Sequence, residues 1–363
     1  MAGEKDYIGI GIIGAGFART TQIPGFRACE GARVVSIASA HRERAAAVAQ
    51  EFGIPHVADD WREVAERDDV DLVSIVTPPA THLEMTLAAL DAGKAVLCEK
   101  PMAMNAGEAK RMHLRALEKN ALALIDHELR FLNGRRRMRE MILNGEIGEV
   151  WHAKSVFRAD SRADPQAAWN WWSDEKMGGG ALGAIGSHAV DTFRWLFGAE
   201  VSQVFCSLAT HVKKRPADNG EMRDVTTDDE ANLVLRFTDT TLTKSTTATA
   251  SLSVVESGEA EHLLEIFGSR GALKVEERGE LWHAQTGAGK WTRVDVEQGK
   301  AAPGMGDKGW QYGFTEFSRR IVEALREKRN TVEGAATFED GYRTQLVLDA
   351  ALHSHESGCW TAL

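Results

Sequence analysis

Between Ile8 and Ile125, short runs of aliphatic residues alternate with amphipathic stretches, and that alternation restricts the segment to βαβ units around a parallel sheet. The strands fall at Ile8–Ile13, Arg33–Ala38, Asp71–Val76, Ala95–Cys98 and Ala121–Ile125. Between them, residues 42–52 have helical composition and end at Gly53, placed as a C′ stop. Thr81-His82-Leu83-Glu84 has the form of a capping box, with Thr81 as N-cap and Glu84 at N3, opening a helix that closes near Gly93. Asn105 with Glu108 three residues on repeats the N-cap signature. The spacing predicts one doubly wound domain over residues 1–126. In such sheets ligands bind beyond the carboxyl ends of the strands, which singles out three loops.

The first loop is Gly14-Ala15-Gly16-Phe17-Ala18-Arg19, directly after the first strand. Gly14 permits the tight turn and Gly16 lets a pyrophosphate approach the backbone at a helix N-terminus, with Phe17 and Ala18 completing the turn. Arg19 stands where the G-x-G-x-x-G/A fingerprint has its third small residue, and glycine-rich turns also serve packing alone. The ribose-selecting acid expected about 20 residues on is missing; Ser39 and Arg42 occupy that place. A hydroxyl with cationic neighbours gives NAD(P) binding a modest preference for NADP, unless Arg42 and Arg44 are simply solvated helix residues. The second loop holds Thr77, Pro78 and His82, and the third Glu99-Lys100-Pro101, a charged pair that packing explains poorly.

After Ile125 the pattern changes to longer alternating strands at residues 149–157, 201–210, 231–237, 242–252, 262–267 and 272–276, as in an antiparallel sheet with one covered face. Helices are expected at 178–197, 309–327 and 338–356, the last returning toward the first domain. This second domain, residues 127–363, is the expected site of substrate binding and oligomerisation. Met138, Met141 and Ile142 lie at helical spacing, which makes Arg135-Arg136-Arg137 and Arg139 the solvated face of an amphipathic helix. His188 and Asp191 stand three apart on one helix face, a spacing that fits a hydrogen-bonded pair or a satisfied core histidine. Trp169, Trp171 and Trp172 could stack on a sugar, flank a nicotinamide, or pack between domains or subunits.

Composition removes other classes. With 363 residues, 43% hydrophobic and 26% charged, the chain has ample core for two or three domains. The net charge of −10 opposes nucleic acid and anionic membranes as partners. Ile8–Ala18 follows the acidic start Glu4-Lys5-Asp6 and carries patterned glycines, so it reads as strand and turn rather than a signal core. Four dispersed cysteines suit a reducing cytoplasm, no run approaches the roughly 20 apolar residues of a membrane span, and no ligand cluster of the HExxH kind calls for a metal.

Taken in order, Gly14-x-Gly16, Thr77-Pro78-Pro79 with His82, Glu99-Lys100-Pro101, Gly178-Gly179-Gly180, Gly186-Ser187-His188-Ala189-Val190-Asp191 and the tail from Phe338 to Gly358 resemble the Gfo/Idh/MocA oxidoreductases over nearly the whole chain. The resemblance implies an α/β fold: an N-terminal Rossmann domain plus a C-terminal α/β domain with an open, mainly antiparallel sheet, assembled as a homodimer or homotetramer. It implies hydride transfer between a nicotinamide cofactor and a secondary alcohol of a sugar, cyclitol or glycoside. Lys100 and His188 are then the catalytic pair beside the substrate hydroxyl. Gly14, Gly16, Phe17, Ala18, Ser39, Arg42, Thr77, Pro78, His82, Glu99 and Lys100 hold the cofactor. Arg130, Trp169, Trp171, Trp172 and Asp191 face the substrate, Asp191 by orienting the imidazole. The family also hosts glycoside cleavage by transient oxidation and elimination, and dinucleotide-sensing regulators without turnover. Two departures alter the surroundings of the pair: Ala184 replaces the aspartate many relatives carry four residues before the histidine, and Glu128 replaces a frequent asparagine.

Overall fold

The alternation up to Ile125 becomes a seven-stranded sheet in the computed structural model, which describes residues 6–363; Glu4 and Lys5 of the acidic start lie outside the described residues. Strands β1 (Ile8–Ile13), β2 (Ala32–Ala38), β3 (His56–Val57), β4 (Leu72–Ile75), β5 (Ala95–Cys98) and β6 (Ala123–Ile125) are parallel, in the order β6-β5-β4-β1-β2-β3. A short strand, Ala336–Thr337, adds antiparallel to the β6 edge. The order reverses between β1 and β4, where a doubly wound sheet opens its ligand crevice.

Each face of this sheet buries a separate core. Ile10, Ile12, Ile37, Leu72 and Leu97 pack with Phe26, Val48, Phe314 and Phe317, while Ile13, Val73, Ile75, Val96 and Cys98 pack with Val64, Leu90, Met112 and Phe338. Burial on both faces is why the strands read as continuous apolar runs. The helix Arg42–Phe52 ends as its sequence predicts, with Gly53 left-handed at φ 66° and its amide on the Ala49 carbonyl. The capping box at Thr81 does not form: the Thr81 hydroxyl donates instead to the Pro78 carbonyl (2.9 Å) and lies 2.7 Å from the Thr77 hydroxyl, and Glu84 pairs with Arg62. A three-residue turn, Pro79–Thr81, precedes the helix and holds Thr81 in an already helical backbone, from which its side chain cannot reach forward.

The chain divides into two compact units, and not by a single cut at 126: unit 1 takes the chain up to Ala103, Gly107–Leu132 and Gly299–Tyr342, and unit 2 takes Met104–Ala106, Asn133–Gln298 and Arg343–Leu363. The helix Gly309–Arg326 belongs to unit 1 because Phe314, Phe317 and Ile321 complete its core. Phe338–Ser357 is one helix whose first five residues belong to unit 1.

Unit 2 is built on β7 (Val150–Arg158), β8 (Val201–Ala209), β9 (Lys214–Pro216), β10 (Met222–Asp224), β11 (Glu230–Phe237), β12 (Thr243–Ser253), β13 (Glu261–Gly268), β14 (Gly271–Val275), β15 (Leu281–Gln285) and β16 (Thr292–Val294). A nine-stranded sheet runs β16-β15-β14-β13-β7-β12-β11-β8 and ends on Thr361–Ala362; only β7 and β12 pair in parallel. β9 and β10 form a separate two-stranded ribbon. One face of the large sheet is covered by the helices Asn133–Leu143, Ser187–Phe197 and the later part of Phe338–Ser357, through Met138, Ile142, Val190, Phe193, Leu196 and Leu348. Arg135 departs from the solvated face assigned to it. It shares the stripe of Met138 and Ile142, is buried, and donates to Thr192 Oγ1 (2.9 Å) and to His262 Nε2 (2.9 Å).

Candidate active site

At the carboxyl end of β1 the chain turns at Gly14, whose amide donates to the Ala38 carbonyl at 2.8 Å. Its φ is +113°, and a Cβ there would lie 2.2 Å from the Val76 carbonyl oxygen, so only glycine lets the ends of β1, β2 and β4 close together. At Gly16 a Cβ would meet nothing within 4 Å. Open backbone at the start of a helix, with amides not yet paired along it, fits a dinucleotide pyrophosphate. Phe17 is exposed beside it, and Ala18 is fully buried and packs the helix on the sheet. From Ala18 to Gln22 the helix widens into a π turn, and Arg19 leaves sideways to make a two-bonded pair with Glu51 (2.6 and 3.2 Å). The imperfect third position of the fingerprint thus points away from the crevice side of the turn. At the end of β2, Ser39 Oγ accepts the His41 amide (3.3 Å), and Arg42 is ion-paired with Asp59. Among the described residues no group of three His, Cys, Asp or Glu could hold a metal.

Thr77, Pro78 and Lys100 stand at the ends of β4 and β5, each half-buried. The side chains of His82 and Glu99 turn into the protein. His82 is fully buried: its Nδ1 lies 3.2 Å from the carbonyls of Pro101 and Met102 and its Nε2 2.8 Å from the Thr77 carbonyl. It clamps the two loops to each other, and burial lowers its affinity for a proton. The Glu99 side chain turns inward. Gln22 Nε2 donates to Glu99 Oε1 (2.9 Å) and to Asp126 Oδ2 (2.8 Å), while Ser74 Oγ donates to Gln22 Oε1. Glu99 and Asp126 thus face each other across one amide. Burial raises both, and the mutual charge and Glu128 raise Asp126 further; Lys100 pulls Glu99 the other way. Sequence reasoning missed Gln22 and Ser74, which come from a helix and an apolar strand with no motif to announce them.

Arg130 is likewise spent within unit 1. It is buried, with Nη1 on the Ala335 carbonyl (3.3 Å) and Nη2 on Asp340 (3.2 Å), and it fastens the short helix Glu128–Phe131.

In unit 2 the glycine run leads into a second widened helix: a π turn, Leu182–Gly186, continues into Ser187–Phe197. The start is fixed by Asp228, whose carboxylate accepts the Leu182 amide (2.7 Å) and whose carbonyl accepts the Ala181 amide (3.1 Å). Gly180, at φ +111°, leaves room for that carboxylate; a Cβ would sit 2.3 Å from Asp228 Oδ1. Burial pushes Asp228 up to about 6. It had no sequence signal, since Asp228-Asp229-Glu230 reads as an ordinary polar turn. His188 is half-buried two turns into the helix, with Asp191 fully buried one turn further. Ala184 is half-buried on the same face. The tryptophans differ: Trp171 is exposed, whereas Arg223 lies over the Trp169 ring (3.5 Å) and Arg162 over the Trp172 ring (4.6 Å), so each of those two has one face already taken.

The profile of the GFO/IDH/MocA oxidoreductase family, described as an NAD-binding Rossmann fold, matches residues 8–127, and that of the GFO/IDH/MocA C-terminal domain matches residues 135–274. The chain belongs to the GFO/IDH/MocA family. It is 30% identical to glucose-fructose oxidoreductase domain-containing protein 2 of Bos taurus over 98% of this chain and 93% of the relative. It is 29% identical to levoglucosan dehydrogenase of Pseudarthrobacter phenanthrenivorans over 89% of this chain and 88% of the relative. It is also 32% identical to 1,5-anhydro-D-fructose reductase of Ensifer adhaerens over 72% of this chain and 74% of the relative. A solved structure of levoglucosan dehydrogenase in complex with NADH and levoglucosan superposes with a TM-score of 0.86 at 27% identity, covering 98% of this chain and 99% of that one. This GFO/IDH/MocA chain is therefore an oxidoreductase with an NAD-binding Rossmann domain and a C-terminal, mainly antiparallel sheet. None of its helices among the described residues is long and apolar enough to cross a membrane.

Proposed function

We propose that this GFO/IDH/MocA member reversibly oxidises a secondary alcohol of a sugar, cyclitol or glycoside, with Lys100 and His188 handling the proton. The observation that carries this reading is the Gly14–Gly16 turn at the β1/β4 crossover, with Lys100 at the end of the adjoining β5. When bound, a nicotinamide nucleotide accepts or supplies the hydride. Gly16 and the helix behind it bind the pyrophosphate, and Thr77 and Pro78 border the same crevice. Lys100 Nζ donates a hydrogen bond to the reacting oxygen and stabilises negative charge there. His188 takes the hydroxyl proton on oxidation and returns it on reduction, with Asp191 orienting the ring. The carbohydrate names of the relatives support this substrate class. Homodimeric or homotetrameric assembly in the cytoplasm belongs to the same reading. Purified chain incubated with sugars, cyclitols and glycosides plus NAD or NADP tests it: reduced nucleotide formed only with substrate supports it, and unchanged nucleotide across the panel counts against it.

NADP remains the preferred form in this proposal, through Ser39 and Arg42. The Asp59 carboxylate on Arg42 competes with a 2′-phosphate. Asp59→Asn is therefore expected to lower the KM for NADP several-fold and leave that for NAD within about twofold; equal shifts in both would remove Arg42 from nucleotide selection.

A further inference from the structure

Many arginines of this acidic chain meet a carboxylate: Arg19 meets Glu51, Arg67 meets Asp69, Arg194 meets Glu200 and Arg319 meets Glu316. Arg162, Arg215 and Arg223 of unit 2 stand near one another and are held by other groups. Arg215 is only 2% exposed, and its guanidinium donates to two backbone carbonyls, those of Asp164 (2.6 Å) and Arg162. Arg162 donates from Nη2 to Asn170 Oδ1 (2.8 Å) and lies over Trp172, with no protein acceptor on Nε or Nη1 among the described residues. Arg223 stands directly opposite Arg215 in the β9–β10 ribbon and covers Trp169. Like charges facing each other across a ribbon are destabilising by themselves. Burial first, and then the charge of Arg215, push Arg162 down to about 10.

Hydrogen bonds tie this loop to the start of the helix that bears His188. Asn170 Oδ1 also accepts the Trp172 amide (3.1 Å), so one side chain fixes Arg162 and Trp172 together. The Trp172 carbonyl accepts the Thr227 hydroxyl (3.0 Å), and the next residue, Asp228, holds the Leu182 amide at the start of the helix bearing His188. From Leu182 to His188 the helix rises roughly 9 Å, about the length of a hexose with a terminal substituent.

We propose that Arg162, held by Arg215 and seated on Trp172, binds a phosphate or carboxylate group carried by the substrate. With one Nη2 proton spent on Asn170, the Arg162 guanidinium keeps four N–H donors, enough for a two-oxygen fork on its Nε–Nη2 edge or its Nη1–Nη2 end, and the anion offsets the charge of Arg162 beside Arg215. The indole faces contact the apolar C–H surface of the sugar beside it. The substrate class named here rests on the sugar-oxidoreductase reading above.

Calorimetric titration of the full chain with glucose, glucose 6-phosphate, gluconate and inorganic phosphate at one ionic strength tests the site without requiring turnover. The phosphorylated or acidic sugar is expected to bind at least about tenfold more tightly than glucose and than phosphate alone, by the worth of a charge-assisted pair. Arg162→Gln should reduce that preference to within about twofold, while Arg319→Gln leaves it intact. Equal affinity for glucose and glucose 6-phosphate overturns the site, and this comparison needs only the unmodified chain. Phosphate binding as tightly as glucose 6-phosphate overturns the assignment to the substrate. A chain that binds the anionic sugar and reduces no nucleotide keeps this site and loses the oxidoreductase reading. One that oxidises neutral sugars and ignores the anions does the reverse.

Discussion

Lys100→Ala is expected to lower kcat by about 10²–10⁴, the range typical of losing a positioned proton-handling group, with the melting temperature close to that of the unmodified chain. Lys100 is half-buried at the end of β5, so its side chain adds little to either core of unit 1. Lys100→Arg separates two roles of the ammonium. Arginine keeps the positive charge but does not release its proton near neutral pH. If the lysine only stabilises charge on the oxygen, the arginine variant recovers part of the rate. If it exchanges a proton, the variant stays as slow as alanine. Steady-state rates with the best substrate of the panel, followed across pH, decide between them. Rates near wild type for Lys100→Ala would remove it from the chemistry.

Gln22→Leu should cost roughly 3 kcal/mol in unit 1, because a single buried amide satisfies two carboxyl groups and one hydroxyl. Its loss leaves Glu99 and Asp126 with no donor between them and Ser74 without an acceptor. The pH dependence carries the sign. Both acids are raised in the folded chain, so the folded state retains a proton that the unfolded chain releases. Stability is therefore present in mildly acidic buffer and declines as pH rises above the ordinary carboxylate range through the raised values. Gln22 lowers both acids, so its removal moves them further up and deepens the alkaline loss. Asp126→Asn, by removing one acid, should flatten the same curve. Thermal melts from mildly acidic to mildly alkaline buffer read all three; an unchanged pH slope in Gln22→Leu would show that the amide does not bridge the pair.

The first unit was legible because it is made of local signals. Burial on both faces writes each parallel strand as an apolar run, and Gly14 and Gly53 are demanded by backbone positions that other residues resist. What escaped depends on residues far apart in sequence. Gln22, Ser74, Glu99 and Asp126 come from four elements and meet only once the sheet is closed. The ribbon β9–β10 and the strands β15 and β16 are short and polar, below the length at which alternation can be told from a loop. At Arg135 the helical period of Met138 and Ile142 points inward while its charge points outward, and the period wins because Thr192 and His262 accept the guanidinium. At Thr81 the residues of a capping box were present and the backbone they require was not. Glu99 and His82 flank the crevice in sequence, and their buried side chains bond to the protein itself, which no local pattern announces.

The measurement that bears most directly on the account is absorbance at the reduced-nicotinamide band when the purified chain meets sugars, cyclitols and glycosides in the presence of NAD or NADP, with product analysis alongside. Substrate-dependent reduction matched by oxidised sugar, and lost in Lys100→Ala, is the expected result. Product formed with no net reduction, or no change with any member of the panel, would contradict it.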